Sequence, residues 1–281
     1  MKSVAGVEVL RNPGELPHTF CFADLEHDME VQDRIMREQL FHDRQARARF
    51  ADLRAQPNNL LVADDQYLDH EPWIRPALAS FGDLRGRRVL DFGCGHGMAA
   101  VVLARRGARV TAFDLSGGYL HEARARAEAN RVAVDFIQAN GEQLPFADEA
   151  FDHVWGNAVL HHLDLNRAGQ ELRRVLKSGG TAIFCEPWGG NPLLNWARRH
   201  LAYPGKQRTP EETPLTQIDI ELLRGIFPRV DITGYQLFSM VRRVLRQGFV
   251  VKPLAALDRQ ILAKLPISKR WCRYVVVGLR K

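Results

Sequence analysis

Residues 87–116 read RRVLDFGCGHGMAAVVLARRGARVTAFDLS, and the fold turns on this stretch. A short apolar run, Val89-Leu90, reaches an acid, Asp91. Glycines follow at 93, 95 and 97, and an apolar helix-like run, Met98 to Leu103, closes at Gly107. A second apolar run, Val110 to Phe113, ends in another acid, Asp114. Strand, glycine turn, helix, strand, acid is the outline of a nucleotide-binding βαβ unit. The glycines let the turn fold tightly and let a ligand approach the backbone, while amides at the helix N-terminus offer donors. Asp114 is placed to accept hydrogen bonds from a ribose diol.

Spacing separates the two families that use this outline. Dinucleotide enzymes want G-x-G-x-x-G, and Met98 stands where the third glycine should be. The pattern D-x-G-x-G-x-G, led by Asp91, resembles the first motif of class I S-adenosylmethionine-dependent methyltransferases. Residues 138–163, QANGEQLPFADEAFDHVWGNAVLHHL, resemble that family's second block, where an acidic loop recognises adenine and a Phe-Asp pair opens strand four. Residues 174–184, RVLKSGGTAIF, resemble its third, in which paired glycines turn the chain back into the sheet. The likeness runs unbroken from Val89 to Glu186 and is closest to the ubiquinone/menaquinone and malonyl-carrier-protein branch.

The resemblance implies an α/β fold: a Rossmann-like seven-stranded sheet with helices on both faces and a closing antiparallel hairpin. It implies S-adenosyl-L-methionine as cofactor, leaving as S-adenosyl-L-homocysteine. The cofactor would lie against Asp91, Phe92, Gly93, Cys94, Gly95, Gly97, Asp114, Leu115, Asn140, Gly141, Glu142 and Asn157. Asn140 stands where the family places an aspartate; its amide oxygen still offers an acceptor to the adenine amine.

At 281 residues and 46% apolar, the chain is long enough for one full core with additions. There is no signal-type apolar segment after Met1 and no run approaching a membrane span. Four scattered cysteines without a C-x-x-C pair read as a reduced, cytoplasmic protein with no zinc site. A net charge of +6 permits an acidic substrate, nucleic acid or an anionic membrane surface. Peripheral membrane contact therefore stays open, and the oligomeric state is not encoded in any motif.

Residues 1–85 are expected to form an N-terminal helical lid and 86–281 the core. Within the first, Val7, Val9 and Leu10 suit an edge strand, Pro13-Gly14 a turn, and good helix formers run from Glu30 to Arg54. By resemblance, pre-core helices cover the cofactor, making Phe41 and His42 substrate-pocket residues; a helix simply packed on the core is the alternative. A second helix is expected over 70–81. Further on come a helix over 118–129 capped by Ser116, a strand over 132–137, a helix over 164–176, a strand over 181–186, a helix over 216–227, and strands over 230–238 and 271–279. Two segments, 187–215 and 240–270, exceed the minimal fold and would wall a substrate pocket. Trp188 and Trp196 suggest an apolar acceptor there, and Leu254, Leu257, Ile261 and Leu265 would form the apolar face of a helix.

In a methyl transfer the protein aligns the acceptor, excludes water and, where needed, removes a proton. Alignment supplies several kcal/mol and a positioned base about 10²–10⁴-fold. Candidate bases follow the strand ends: His161, His162 and Glu186. Glu186 reads equally as a buried acid bonded to backbone, and the His161-His162 pair with Asp164 does not make a metal site, since adjacent side chains diverge. The expected function is methyl transfer, with oxygen as the acceptor atom, to a small, partly apolar or lipid-like molecule. An RNA methyltransferase would set Arg44, Arg47, Arg49, Arg242, Arg243, Arg246, Lys269, Arg270 and Arg273 on phosphates, but no N/D-P-P-Y motif is present. A non-catalytic cofactor-binding protein is the remaining rival.

Overall fold

The computed structural model describes residues 22–55, 57–200, 213–243 and 248–281. The chain divides into two compact units, residues 1–37 and 38–281. Helix α1 (Phe22–Ala55) begins in the first unit and ends in the second, starting before the expected Glu30. The strand and turn expected over residues 7–14 lie outside the described residues.

In the larger unit β1 (Arg88–Phe92), β2 (Arg109–Asp114), β3 (Val134–Gln138), β4 (Phe151–Asn157), β5 (Leu176–Pro187), β6 (Arg229–Tyr235) and β7 (Tyr274–Arg280) form one sheet in the order β3-β2-β1-β4-β5-β7-β6. The first five are parallel, and β7 runs antiparallel to both β5 and β6. Side chains alternate between two cores, as period-two strands buried on both faces must. Val89, Ala112, Trp155 and Ile183 face one core with Trp73, Leu78 and Leu103; Leu90, Phe113, Val154 and Phe184 face the other with Leu172, Val175 and Leu223.

The helices between strands are α4 (Met98–Arg105), α5 (Gly117–Ala129), α6 (Leu165–Val175) and α8 (Gln217–Ile226). Their starts are written locally: Ser116 Oγ accepts from Tyr119 N–H, Asp164 from Asn166 and Arg167 N–H, and Thr216 and Asp219 form a capping box. Chain order reverses at β1, whose neighbours are β2 and β4, so the crevice beyond its carboxyl end is the topological switch point.

Several expected boundaries shift. The helix expected over 70–81 is the shorter α3 (Ile74–Ala79), starting after Pro72, and a separate helix that was not expected, α2 (Asp64–Leu68), precedes it. The Lys177–Gly180 turn is an irregularity inside β5: Phe151 pairs with Leu176 and His153 with Thr181, so β5 advances five residues while β4 advances two. In the insertions, α7 (Pro192–His200) follows β5 and α9 (Gly248–Lys264) precedes β7.

Of the apolar face expected here, Leu254 and Ile261 on α9 are half-buried, while Leu257 and, just past the helix, Leu265 are 43% and 57% exposed. Among its described side chains the buried one is Asp258, which accepts from the N–H groups of Leu237, Phe238 and Ser239 and from Ser239 Oγ. These bonds also end β6 at Tyr235 rather than at residue 238. Four of the basic residues named for an RNA surface make bonds within the fold. Lys269 Nζ donates to Ile232 O, Arg273 to Gln236 Oε1, Arg44 to Leu40 O, and Arg49 pairs with Glu122. No described helix is long and apolar enough to cross a membrane.

Asp258→Ala strands buried donors, so a loss of about 2–4 kcal/mol is expected. It should appear as a lower denaturant midpoint with an unchanged slope; an unaltered midpoint would show that α9 is not anchored through this carboxylate.

Candidate active site

The glycine turn leaves β1 at the switch point and is built from close approaches. Gly93 has φ +65°, and a Cβ there would meet Val159 Cγ2 at 2.5 Å; Gly97 has φ +82°, and its Cβ would meet Ala123 at 2.8 Å. These two positions pack the turn against the loop after β4 and against α5. Gly95 differs: at φ +49° its missing Cβ faces open space. The turn thus has one bare patch of backbone, flanked by tightly packed glycines.

Asp114, at the end of β2, secures that patch. Its Oδ2 accepts from Gly95 N–H at 2.8 Å and its Oδ1 from Ser116 N–H at 2.9 Å. Burial raises its pKa above the usual carboxylate range, against the pull of those two N–H groups. Each oxygen keeps a further lone pair for a hydroxyl ligand. Asp91 is 2% exposed, and its Oδ2 has no hydrogen-bond partner. Burial, reinforced by the charge of Asp114, pushes its pKa up to about 8. His96 within the turn is held neutral, its pKa pushed down to about 4 by burial. Its carbonyl accepts from Arg126, which also pairs with Glu122 in the interior.

The adenine-side candidates are each tied into the loop after β3. Asn140 Oδ1 accepts from Glu142 N–H, closing its own turn. Glu142 is buried and accepts from Asp164 N–H, so its carboxylate ties the loop to the start of α6. Gly141 lies on Phe92, whose ring a Cβ would meet at 2.7 Å. Phe92 and Cys94 are buried, leaving the Phe92 ring to the core; Leu115 is half-buried and Asn157 exposed at the end of β4.

Beyond β4 the chain enters a strained turn at Ala158, φ +57°, and a short helical turn, Leu160–His162. Glu186, at the end of β5, holds it. Glu186 is fully buried; Oε1 accepts from Val159 and Leu160 N–H, and Oε2 lies 2.7 Å from His161 Nδ1. Of the three candidate bases, Glu186 is thus saturated by the fold and His161 is its partner, as the buried-acid reading of Glu186 anticipated. His162 diverges from His161 and meets the lid helix, its ring 5.4 Å from that of His42.

Phe41 and His42 part company. Phe41 lines an outer cleft with Arg44, Gln45, Arg49 and Tyr119. His42 turns inward to Glu38 and His162, and Asp43 accepts from Ser116 Oγ and Gly118 N–H at the start of α5. Burial alone would lower the His42 pKa, but its bond to Glu38 and the Asp114 charge carry it above the ordinary value. Glu38 carries no motif signal and was missed; its place four residues before His42 on one helix face was the available clue. The two tryptophans expected on a substrate wall lie in different surroundings. Trp188 is 4% exposed and belongs to the interior cluster under β5, while Trp196 is 57% exposed and stacks on His200.

This sheet order, glycine turn and strand-end acid are those of the class I methyltransferase fold. Residues 90–184 match the family model of a methyltransferase domain. A demethylmenaquinone methyltransferase of Thermobifida fusca is 39% identical over 145 residues, 46% of this chain and 61% of that protein. A fatty-acid O-methyltransferase of Mycolicibacterium smegmatis is 33% identical over 175 residues, 59% of this chain and 58% of its own. The chain thus spans about three-fifths of the length of these relatives. Among solved structures, a geranyl diphosphate C-methyltransferase from Streptomyces coelicolor, crystallised with S-adenosyl-L-homocysteine, aligns with a TM-score of 0.52. At 20% identity, covering 74% of this chain and 79% of that one, it shares the fold.

Asp91 also sets a stability signature. Its raised pKa means that the unfolded chain loses this proton near pH 4 while the folded chain keeps it to about pH 8. Stability contributed by the protonated form is therefore complete below pH 4 and declines as pH rises towards 8. Asp91→Asn removes this slope, so its melting temperature should gain on wild type as pH goes from 5 to 8. A constant difference between the two proteins across that range would contradict a protonated Asp91.

Proposed function

We propose that this chain is an S-adenosylmethionine-dependent methyltransferase acting on a small, partly apolar or lipid-like acceptor, with oxygen as the atom methylated. The observation that carries the reading is a pair of buried acids on either side of the glycine turn, Asp91 with its unpartnered Oδ2 and Asp114, which holds the bare backbone at Gly95. That donor set fits the cofactor. Asp114 would accept from the ribose hydroxyls, Asp91 would accept from the ammonium of the amino-acid portion, and the open Gly95 patch leaves room between them. The bound cofactor supplies a methyl group already activated for displacement.

The remaining work falls to the chain's own residues. The lid helix, anchored by Asp43 on the N-terminus of α5, covers the turn and keeps water out. Glu186 fixes the turn after β4 and so presents His162. His162 and His42 are the groups placed to hold or take the acceptor's proton; Glu186 and His161 position them. Apolar side chains on α7, Leu193 at 73% and Trp196 at 57% exposure, favour an acceptor with hydrocarbon character and allow contact with a membrane surface. Relatives acting on quinone precursors and fatty acids support the same acceptor class. The buried free thiols Cys94, Cys185 and Cys272 suit a reducing cytoplasm.

Calorimetric titration with S-adenosyl-L-homocysteine tests the cofactor site. Asp114→Asn should weaken binding by about 1.5–3 kcal/mol, as for a lost charged hydrogen bond, and NAD should give no heat. Asp91 must lose its proton to receive an ammonium, so affinity should rise between pH 6 and pH 8 by up to about tenfold per unit, with proton uptake by the buffer. Equal affinity at pH 6 and pH 8 would remove Asp91 from the site. Equal affinity in Asp114→Asn would remove the ribose contact.

A further inference from the structure

Three side chains outside the glycine turn meet between the lid helix and the turn after β4. Glu38 and His42, one helical turn apart on α1, face His162 from the other side. Glu38 Oε2 lies 3.4 Å from His42 Nε2 and 3.4 Å from His162 Nδ1, and the three atoms all lie within 4.8 Å of one another. We infer that Glu38, His42 and His162 form a binding site for a divalent transition cation of the zinc class. The sequence reading, which found no metal site, could not bring residues so distant in the chain together.

The distances favour a shared ion. A hydrogen bond to a carboxylate settles at about 2.7–2.9 Å, whereas both separations here are longer. Ligands of one tetrahedral zinc, with bonds of about 2.0–2.1 Å, stand about 3.3–3.4 Å apart by geometry alone. The donor set, two imidazoles and one carboxylate, is of the kind that holds zinc or iron while leaving coordination positions open.

The second layer agrees. His42 Nδ1 lies 3.3 Å from Gln45 Oε1, which also accepts from Tyr119 Oη at 3.0 Å. An amide oxygen cannot donate, so His42 carries a proton on Nδ1 and faces Glu38 with Nε2. A positive centre belongs between Nε2 and the carboxylate, either the second proton of a charged His42 or the cation that would replace it. A histidine donating its far nitrogen to a carbonyl is also the usual support of a metal ligand. Glu38 is nearly buried, its side chain 5% exposed, while His42 and His162 remain 24% and 15% exposed. The ion would therefore be held from the protein side and open towards the space beside Asp114. There, on the methyl-transfer reading, it would bind an acceptor hydroxyl and ease loss of its proton to solvent, in place of His42 and His162, whose ring nitrogens it would occupy. The cation site itself does not depend on that reading.

Cobalt is the probe, because its visible d–d absorption reports coordination without turnover. Full-length protein stripped with a chelator should bind one equivalent of Co²⁺ with a low-symmetry d–d band, and Zn²⁺ should displace it. His162→Ala and Glu38→Gln should each weaken Co²⁺ binding about 100-fold, and Gln45→Ala about tenfold, with near-ultraviolet circular dichroism confirming folded protein. A wild type that binds S-adenosyl-L-homocysteine but gives no band overturns the cation site and leaves the cofactor reading standing. A band of equal strength and affinity in folded His162→Ala and Glu38→Gln also overturns it.

Discussion

One carboxylate joins the parts on which the site depends. Asp114 closes β2, and its two oxygens take the N–H of Gly95 in the glycine turn and the N–H of Ser116 ahead of α5. Strand, turn and helix are thereby held in one arrangement by bonds to a residue whose side chain cannot leave without stranding donors. Burial makes the charge costly, and the two N–H groups offset part of that cost. The same oxygens that brace the turn retain lone pairs towards the crevice, so structure and recognition share one group. The lid helix joins this arrangement through Asp43, which accepts from Ser116 Oγ and Gly118 N–H.

Acids around the crevice fall into two kinds, and their hydrogen bonds tell them apart. Glu186, Glu142 and Asp258 are buried and spend their oxygens on backbone N–H groups, fixing the turn after β4, the start of α6 and the end of β6. Asp91 retains an oxygen with no partner at all. A buried carboxylate in that condition is a liability unless something arrives to meet it, and its raised pKa expresses that tension. The methyl transfer proposed above would need few reacting groups from the chain, which agrees with so many of these acids being structural.

The lid helix shows how neighbouring residues acquire unrelated tasks. Consecutive positions on a helix point about 100° apart, so Phe41 faces an outer cleft while His42 faces Glu38 and His162. The same divergence separates His161, paired with Glu186, from His162. Adjacent histidines in the chain thus belong to different networks, and a third histidine far away in sequence is the one His162 meets.

By itself the sequence determined the glycine turn, the acids at the ends of β1 and β2, the succession of strands and helices along the chain, and the helix starts at Ser116, Asp164 and Thr216. Each of those is a local event: a positive φ, a cap, or an apolar period read over a few residues. Tertiary structure alone decided which acids are saturated, that Trp188 is interior and Trp196 exposed, that α9 is anchored by Asp258, and that Glu38 and His42 meet His162. Those outcomes depend on which backbone donors and which rings arrive from distant segments. Propensity and spacing hold no record of that meeting, because it is settled only when the sheet order brings β4, β5 and the lid helix to one edge.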